Sequence, residues 1–376
     1  MANSSRPVLV IGGAGAFGGR LVDGLLATTD LEVVVAGRDL ANAETKARPS
    51  GGRARAVRLD AATVTAEALA ATGAFVVVDA AGPFQGASYR LARAAIGAGL
   101  HYIDLADARD FVAGFGALDD AARAAGVTAL TGASSTPALS HAVLDELTAG
   151  WQRIDAIEIA ISPGNRSSPR GLSVLRAILS YTGKPVRVFA GERWTTRPGW
   201  GWPVRRDMPG LGKRWLSLCE TPDLDLVPAR FAPRDMAMFR AGLELPIMHF
   251  GLVFGSLLVQ ARLAPSLVAL APLLRWMGER LSGLGSDRGG MIVEATGIDA
   301  AGQAARAVWS LVAEAGDGPV VPTLPALAAI RALADSRLAE PGARACVGVL
   351  DLATIAREFA PHRIRTEVTT HGSLAV

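Results

Sequence analysis

The feature that most constrains the fold is a glycine-rich turn between an apolar run and an amphipathic run, in VLVIGGAGAFGGRLVDGLL at residues 8–26. The first run predicts a buried strand and the second a helix. Glycines between them fit G-x-G-x-x-G, the pattern that lets a pyrophosphate approach the backbone at a helix N-terminus. The predicted cofactor contacts are Gly13, which allows the tight turn, Gly15, Ala16, Phe17 and Gly18. The turn therefore predicts a dinucleotide site.

The second half of that site lies at the end of the next predicted strand, in LEVVVAGRDL at 31–40. An NAD site places Asp or Glu there to bind the ribose 2′-hydroxyl, whereas this chain has Ala36, Gly37 and Arg38. A guanidinium binds a 2′-phosphate by charge-assisted hydrogen bonds. We therefore expect NADP(H), although Arg38 could also be a solvated surface arginine.

Short apolar runs alternate with helical patterns over residues 1–150, which predicts βαβ units and a parallel sheet. From Trp151 the pattern changes to an alternating strand, a helix and another strand. Residues 194–215, rich in Trp, Arg, Pro and Gly, have no clear period and predict a loop. A strand hairpin is predicted over 289–314, around an Asp/Gly-rich turn.

Residues 243–281 are the most apolar part of the chain, but Pro246, His249 and Gln260 interrupt a run that is short for a membrane span. Buried or interface helices are the favoured interpretation. Contact with a membrane surface and an apolar substrate tunnel remain as alternatives. The apolar second half also favours a homodimer.

Composition excludes several classes of protein. A length of 376 residues, half of them hydrophobic, indicates two or more folded domains. A net charge of +3 is too balanced for a nucleic-acid-binding protein. The two cysteines, Cys219 and Cys346, have no metal-ligand spacing and indicate neither a disulfide framework nor a metal site. The N-terminal sequence lacks a secretory signal, so the expected location is the cytoplasm.

Four segments together resemble the saccharopine dehydrogenase-like oxidoreductases: GGAGAFGGRL, AGR, DAAGPFQGASYRLARAAIGAGLHYIDLAD and GASSTPALSHAVLDEL. The resemblance implies an α/β fold with a Rossmann-type parallel sheet in residues 1–150 and a second mixed α+β domain for substrate and dimerisation in 151–343. It also implies that residues 344–376 return to the first domain. The activity implied is hydride transfer between NADP(H) and a C=N or C=O bond of a small substrate.

The resemblance also assigns site residues. Ala81, Gly82, Pro83 and Phe84 match the family's turn beside the cofactor, and Tyr102 and Asp104 match its Tyr-x-Asp strand end. The chain departs from the family pattern at Ser134 and at Ala106–Ala108. These departures leave open a second function, a sensor or scaffold protein that binds NADP(H) without turnover. A third is a lipid-associated reductase that uses residues 243–281.

Proton donors are expected near the reacting bond. Our candidates are Asp104, Tyr102 and His141, although Asp104 could instead cap a helix and the other two could be packed core residues. In the second domain Arg166 and Arg170 could bind a substrate carboxylate, or lie in a solvated loop. The tryptophan-rich segment 194–215 could be a lid over the substrate, or pack on its own domain.

Overall fold

The computed structural model describes residues 6–167, 171–338 and 340–372. The chain divides into two compact units, each formed by two segments. The first unit comprises Met1–Leu139 and Val320–Glu358, and the second comprises Ser140–Pro319 and Phe359–Val376.

The first unit contains a parallel sheet of seven strands in the order β15-β6-β5-β4-β1-β2-β3. Its strands are β1 (Val8–Ile11), β2 (Val33–Gly37), β3 (Ala54–Arg58), β4 (Val76–Asp79), β5 (His101–Asp104), β6 (Thr128–Thr131) and β15 (Gly342–Ala345). Its helices are α1 (Gly18–Thr28), α2 (Leu40–Ala47), α3 (Ala66–Ala70), α4 (Arg90–Gly97), α5 (Arg109–Gly114), α6 (Asp119–Ala124), α12 (Leu324–Ala334) and α13 (Leu352–Ala356). The first six strands have the Rossmann order, so the predicted α/β fold is confirmed.

The central strands of this sheet are short continuous apolar runs because both faces of the sheet are covered. All four residues of β1 and of β4 are buried, including Val8, Val10, Val76 and Val78. A parallel sheet between helix layers has this composition. Since parallel strands end at one edge, the turns after β1, β2, β4 and β5 lie along the same carboxyl edge.

The second unit contains a mixed sheet of nine strands. Seven follow the order β10-β11-β12-β7-β13-β14-β16, while β8 pairs with β12 and β9 with β8. Its strands are β7 (Arg153–Ser162), β8 (Pro185–Ala190), β9 (Trp194–Pro198), β10 (Val204–Met208), β11 (Gly212–Leu218), β12 (Met236–Ala241), β13 (Gly289–Ile298), β14 (Ala304–Ala313) and β16 (Ile364–Gly372). Its helices are α7 (Ser140–Leu147), α8 (Leu172–Tyr181), α9 (Asp223–Phe231), α10 (Pro246–Gln260) and α11 (Ala271–Arg280). The predicted hairpin is β13–β14.

The expected loop over residues 194–215 is wrong, because the segment contains β9, β10 and most of β11. Most of its Pro and Gly residues lie in the turns between these strands, and β10 and β11 form an antiparallel pair. The strand periodicity is hard to detect because β9 has only exposed and half-buried residues and no fully buried face. Edge strands of this kind carry weak periodicity.

The units also differ from the expected domain limits at 150 and 343. The first unit ends at Leu139 and resumes at Val320, so α12, β15 and α13 belong to it. The final strand β16 instead pairs with β14 in the second sheet. Strand pairing over such sequence separations leaves no local signal, which is why the sequence does not indicate these exchanges.

Residues 243–281 form α10, a short 3-10 turn and α11, and many of their apolar side chains are exposed rather than buried. Of the expected buried or interface helices, the buried alternative is therefore wrong for a large part of this segment, and the interface alternative stays a prediction. Within the described residues, no helix combines the length and apolar character needed to cross a bilayer.

Candidate functional site

The turn after β1 brings the backbone of the first unit unusually close to the end of β4. Gly12 has a φ of 76°. A Cβ at Gly12 would lie 2.9 Å from the carbonyl carbon and oxygen of Ala80 and from the Cα of Ala81. The tight turn thus requires Gly12, whereas the sequence assigned that role to Gly13. The doubled glycine was the signal that could have identified it.

The three predicted glycines each lie where a side chain would collide. A Cβ at Gly13 would be 2.9 Å from the Val10 carbonyl oxygen, and one at Gly15 would be 3.0 Å from the Gly12 carbonyl oxygen. A Cβ at Gly18 would collide with the same carbonyl group. These close approaches let α1 begin directly above the end of β1.

The turn also leaves amide groups for a ligand. Gly15 donates to the Gly12 carbonyl oxygen over 2.8 Å. Within residues 6–167, no hydrogen-bond acceptor is present for the amide N–H groups of Ala14, Ala16 and Phe17. The first turn of α1, which begins at Gly18, carries no acidic side chain. Free amides at the positive end of a helix dipole fit a pyrophosphate.

An arginine follows the end of β2, as the sequence predicted. Arg38 is exposed and, in the described part of the chain, its guanidinium has neither a hydrogen-bond nor an ion-pair partner. The neighbouring Asp39 accepts from the Asn42 amide N–H over 3.2 Å and caps α2. Arg58 ends β3 in register with Gly37. The site therefore presents two exposed arginines, of which the sequence reasoning identified only Arg38.

The turn after β4 is the predicted Ala81, Gly82, Pro83 and Phe84. The Ala81 amide donates to Asp79 Oδ1 over 2.9 Å, which fixes the start of the turn to the strand end. Pro83 is exposed, and the buried Phe84 ring packs against Phe111 with 5.3 Å between centroids. The turn thus has an outward-facing backbone beside Gly12 and an anchored aromatic side chain.

A cavity of about 360 Å³ follows this turn in the same unit. Its lining includes the rings of Phe84 and Phe111 and the polar side chains of Tyr89, Arg93 and Asp110. The Tyr89 hydroxyl donates to the Phe111 carbonyl oxygen over 2.8 Å. The lining of the cavity is thus mixed, with polar and apolar groups in similar share.

Asp104, at the end of β5, is completely buried. Its Oδ1 accepts from the Gly132 amide over 2.7 Å, the Ala106 amide over 3.0 Å and the Thr131 hydroxyl over 2.9 Å. Its Oδ2 has no partner among the described residues. Burial raises the pKa of Asp104 to about 7, despite the amide hydrogen bonds that favour the charged form. The carboxyl group therefore ties the ends of β5 and β6 together and changes protonation near neutral pH.

Asp79 is the residue that the sequence reasoning missed. It lies directly opposite Asp104 in the register of β4 and β5. Burial raises the pKa of Asp79 to about 6. Burial, followed by the charges of Asp104 and Asp79, raises the pKa of Tyr102 well above its ordinary value. The available signal was an aspartate ending the fully apolar run FVVV.

The third candidate, His141, belongs to the second unit and is fully buried in α7. Its Nε2 lies 3.6 Å from Oδ1 of the buried Asp223, and its ring packs against Phe231. The structure thus brings Tyr102 and Asp104 together, and places His141 beside an aspartate of its own unit. Because all three candidates are buried, none of them presents its side chain to solvent.

The candidates of the second domain have structural partners. Arg166 donates to the Gly283 carbonyl oxygen over 3.2 Å, whereas Arg170 lies outside the described residues. Trp200 is buried, and the guanidinium groups of Arg197 and Arg240 lie over the Trp202 ring. Trp200 thus packs within its own unit, whereas Trp194 and Trp202 are exposed. No His, Cys, Asp and Glu cluster suited to a metal ion occurs in the part of the chain that the structure describes.

Comparison with known proteins agrees with this geometry. Residues 8–130 match the family described as saccharopine dehydrogenase NADP binding domain. No curated protein matches the chain. The expected nicotinamide dinucleotide cofactor, NADP(H), is confirmed by the family match, since the glycine turn and Arg38 lie within the matched residues.

Among solved structures, apo saccharopine dehydrogenase (L-Glu forming) from Saccharomyces cerevisiae matches with a TM-score of 0.67 and 16% identity, over 97% of this chain and all of that one. A dehydrogenase from Chromobacterium violaceum matches over 95% of this chain and 93% of that one, at 13% identity and a TM-score of 0.44, too low to support an argument. The yeast structure therefore shows the fold that this chain shares. Residues 8–130 thus match the NADP binding domain of saccharopine dehydrogenase, in a chain that shares the saccharopine dehydrogenase fold.

Proposed function

We propose that the protein is an NADPH-dependent oxidoreductase that transfers a hydride to a C=N or C=O bond of a small substrate. The observation that carries this proposal is the pairing of a bare-backbone turn after β1 with unpartnered Arg38 after β2. The first feature fits any dinucleotide, whereas the second selects the one with a 2′-phosphate.

The residues present fit the cofactor along the carboxyl edge of the first sheet. The amides of Ala14, Ala16 and Phe17 would bind the pyrophosphate, and Arg38 and Arg58 the 2′-phosphate. Asp39, the acidic residue closest to the end of β2, is engaged as the α2 cap. The bound nicotinamide would supply the hydride, and the turn Ala81–Phe84 would lie beside it.

Three buried side chains have positioning roles in this proposal rather than direct contact with substrate. Asp104 holds the backbone of Ala106 and Gly132 through its Oδ1, and its Oδ2 can carry a proton near neutral pH. Tyr102 fills the space between Phe115 and the two carboxyl groups. His141 positions Asp223 within the second unit, with 3.6 Å between Nε2 and Oδ1.

The test of the cofactor assignment is parallel titration with NADPH and NADH, followed by nicotinamide fluorescence, for wild type, Arg38→Ala and Arg48→Ala. Arg48 is a matched control, since it is an exposed arginine of the same unit. We expect wild type to prefer NADPH. Losing one hydrogen-bonded charge should weaken NADPH binding ~10- to 100-fold in Arg38→Ala and leave NADH binding unchanged. An unchanged NADPH/NADH preference in Arg38→Ala would contradict the assignment.

Turnover separates the enzyme from the non-catalytic alternative. NADPH oxidation is measured with 2-oxo acids, alone and with amines, so that both C=O and C=N acceptors are present. Steady oxidation that depends on the acceptor supports the oxidoreductase. Tight NADPH binding without turnover of any acceptor favours the sensor or scaffold protein.

A further inference from the structure

Helix α10 exposes four of its large apolar side chains to solvent. Ile247 is 75% exposed, Phe254 62% and Leu257 55%, and Phe250 is also exposed. Their spacing places them along one side of the helix. A surface helix of a globular protein normally buries this side.

The opposite side of α10 buries two polar groups beside Leu252 and Val259, which pack against a buried cluster with α8. His249 is fully buried, and its Nε2 lies 3.1 Å from the Ser217 hydroxyl. Ser256 is fully buried, and its hydroxyl donates to the Gly199 carbonyl oxygen over 2.8 Å. Burial lowers the pKa of His249 to about 4, so that its ring is neutral at physiological pH. These contacts fix the rotation of the helix, and the apolar side is therefore committed to face outward.

The exposed apolar side chains continue beyond α10. Of the fourteen large hydrophobic side chains that are exposed in the described part of the chain, ten lie between Ile247 and Leu284. The segment is one packed piece, since Leu267 and Ala271 share a buried cluster with α8 and side chains of α10. We call these ten side chains the apolar surface: Ile247, Phe250, Phe254, Leu257, Leu263, Leu270, Leu273, Trp276, Met277 and Leu284. A concentration of this kind marks an interaction site.

The charges beside the apolar surface are mostly positive. Between Ile247 and Leu284 the sequence has three arginines and one glutamate. Glu279 already pairs with Arg275 over 2.8 Å, and the Arg280 guanidinium lies 5.1 Å from the centre of the Trp276 ring. Arg262 and Arg280 thus remain as exposed positive charges on the apolar surface. Apolar side chains bordered by arginine and tryptophan are typical of segments that lie in a lipid–water interface.

We propose that the apolar surface binds the protein peripherally to an anionic phospholipid membrane. Membrane lipid satisfies both observations, because acyl chains cover the apolar side chains and headgroups neutralise Arg262 and Arg280. A second copy of the chain would cover the apolar side chains but would not neutralise the two arginines. A two-fold interface on this surface would place the same arginines in both partners, with the single glutamate already paired.

The full-length protein is tested by sedimentation with vesicles of phosphatidylcholine alone and with about 30% phosphatidylglycerol. We expect binding to the anionic vesicles that weakens with salt. The triple variant Ile247→Gln/Phe254→Gln/Leu257→Gln should bind ~10-fold or more weakly. The control Leu40→Gln/Val368→Gln removes exposed apolar side chains elsewhere and should bind as wild type does. Tryptophan fluorescence in urea checks that each variant folds.

A second pair of variants tests the charges. Arg262→Gln/Arg280→Gln should lose most of the preference for anionic vesicles, whereas Arg48→Gln/Arg193→Gln, which removes two exposed arginines elsewhere, should keep it. No binding to either vesicle, or binding that the triple variant retains, overturns the proposal. A dimer in sedimentation velocity that the triple variant converts to a monomer, without vesicle binding, assigns the surface to a second copy. None of these results depends on the cofactor or on turnover.

Discussion

The carboxyl edge of the first sheet and helix α10 of the second unit both bury polar groups, but with opposite consequences. At the sheet edge, Asp104 is enclosed by hydrogen bonds from two turns, and the backbone of the Gly12 turn is left open for a ligand. In α10, burial of His249 and Ser256 turns the apolar side of the helix outward. A buried polar group thus organises a binding site by shaping the backbone in one case, and by rotating a helix in the other.

The two regions also respond to pH with opposite sign. The folded state raises the pKa of Asp104 to about 7, so it binds more protons than the unfolded state and loses stability as the pH rises from about 4 to 7. The folded state lowers the pKa of His249 to about 4, so stability from this group is lost as the pH falls from about 6.5 to 4. The first unit is thus stabilised by a protonated, neutral carboxyl group, and the second by an unprotonated, neutral imidazole.

The largest effect is expected at the glycine turn. Gly12→Ala adds a side chain at a φ of 76° and places it 2.9 Å from the Ala80 carbonyl group. Strain and overlap together should cost about 3–4 kcal/mol and abolish tight NADPH binding. Gly51→Ala is the matched control, since its φ is 64° with no atom within 4 Å of the new Cβ, and should cost about 1 kcal/mol. Equal losses of stability in Gly12→Ala and Gly51→Ala, measured by thermal unfolding, would contradict the close approach of Gly12 to Ala80.

Asp104→Asn should sharpen the contrast in pH dependence. Asparagine keeps an oxygen acceptor but cannot ionise. The free energy of unfolding of the variant, relative to that of wild type, should therefore increase by about 3 kcal/mol as the pH rises from about 5 to 8. Hydrogen exchange of β5 amides, compared with wild type at the same pH, would report this as a relative slowing of ~100-fold. Asp30→Asn, at an exposed site of the same unit, should show no such change. A pH-independent difference between Asp104→Asn and wild type would contradict the raised pKa.

The sequence predicted those features whose contacts lie close together in the chain, and missed those whose contacts lie far apart. Gly15 and Gly18 were found because their neighbours lie within the same turn, at the Gly12 carbonyl. The need for glycine at position 12 arises from Ala80, and the pairing of Asp79 with Asp104 arises from strand order. Neither can be read from local periodicity.

The second unit was less predictable for a related reason. The composition of α10 identified a helix, but apolar residues occur all round it, so hydropathy could not show which side is buried. That choice depends on Ser217 and Gly199, which supply the partners of His249 and Ser256. The family resemblance carried no information about this helix, since none of the four segments that carry it includes α10.

The smallest effects test the orientation of α10 by comparing two nearby positions on that helix. Ser256→Ala removes one of the two donors to the Gly199 carbonyl oxygen, which keeps the Gly183 amide, and should destabilise the second unit by about 0.5–1.5 kcal/mol. Phe254→Ala removes a far larger side chain, but one that is 62% exposed, and should change stability by less than about 0.5 kcal/mol. Tryptophan fluorescence in urea is the suitable measurement, because all seven tryptophans lie in the second unit. A larger loss from Phe254→Ala than from Ser256→Ala would mean that the apolar side of α10 packs against protein in solution, and the contrast between the two regions would then disappear.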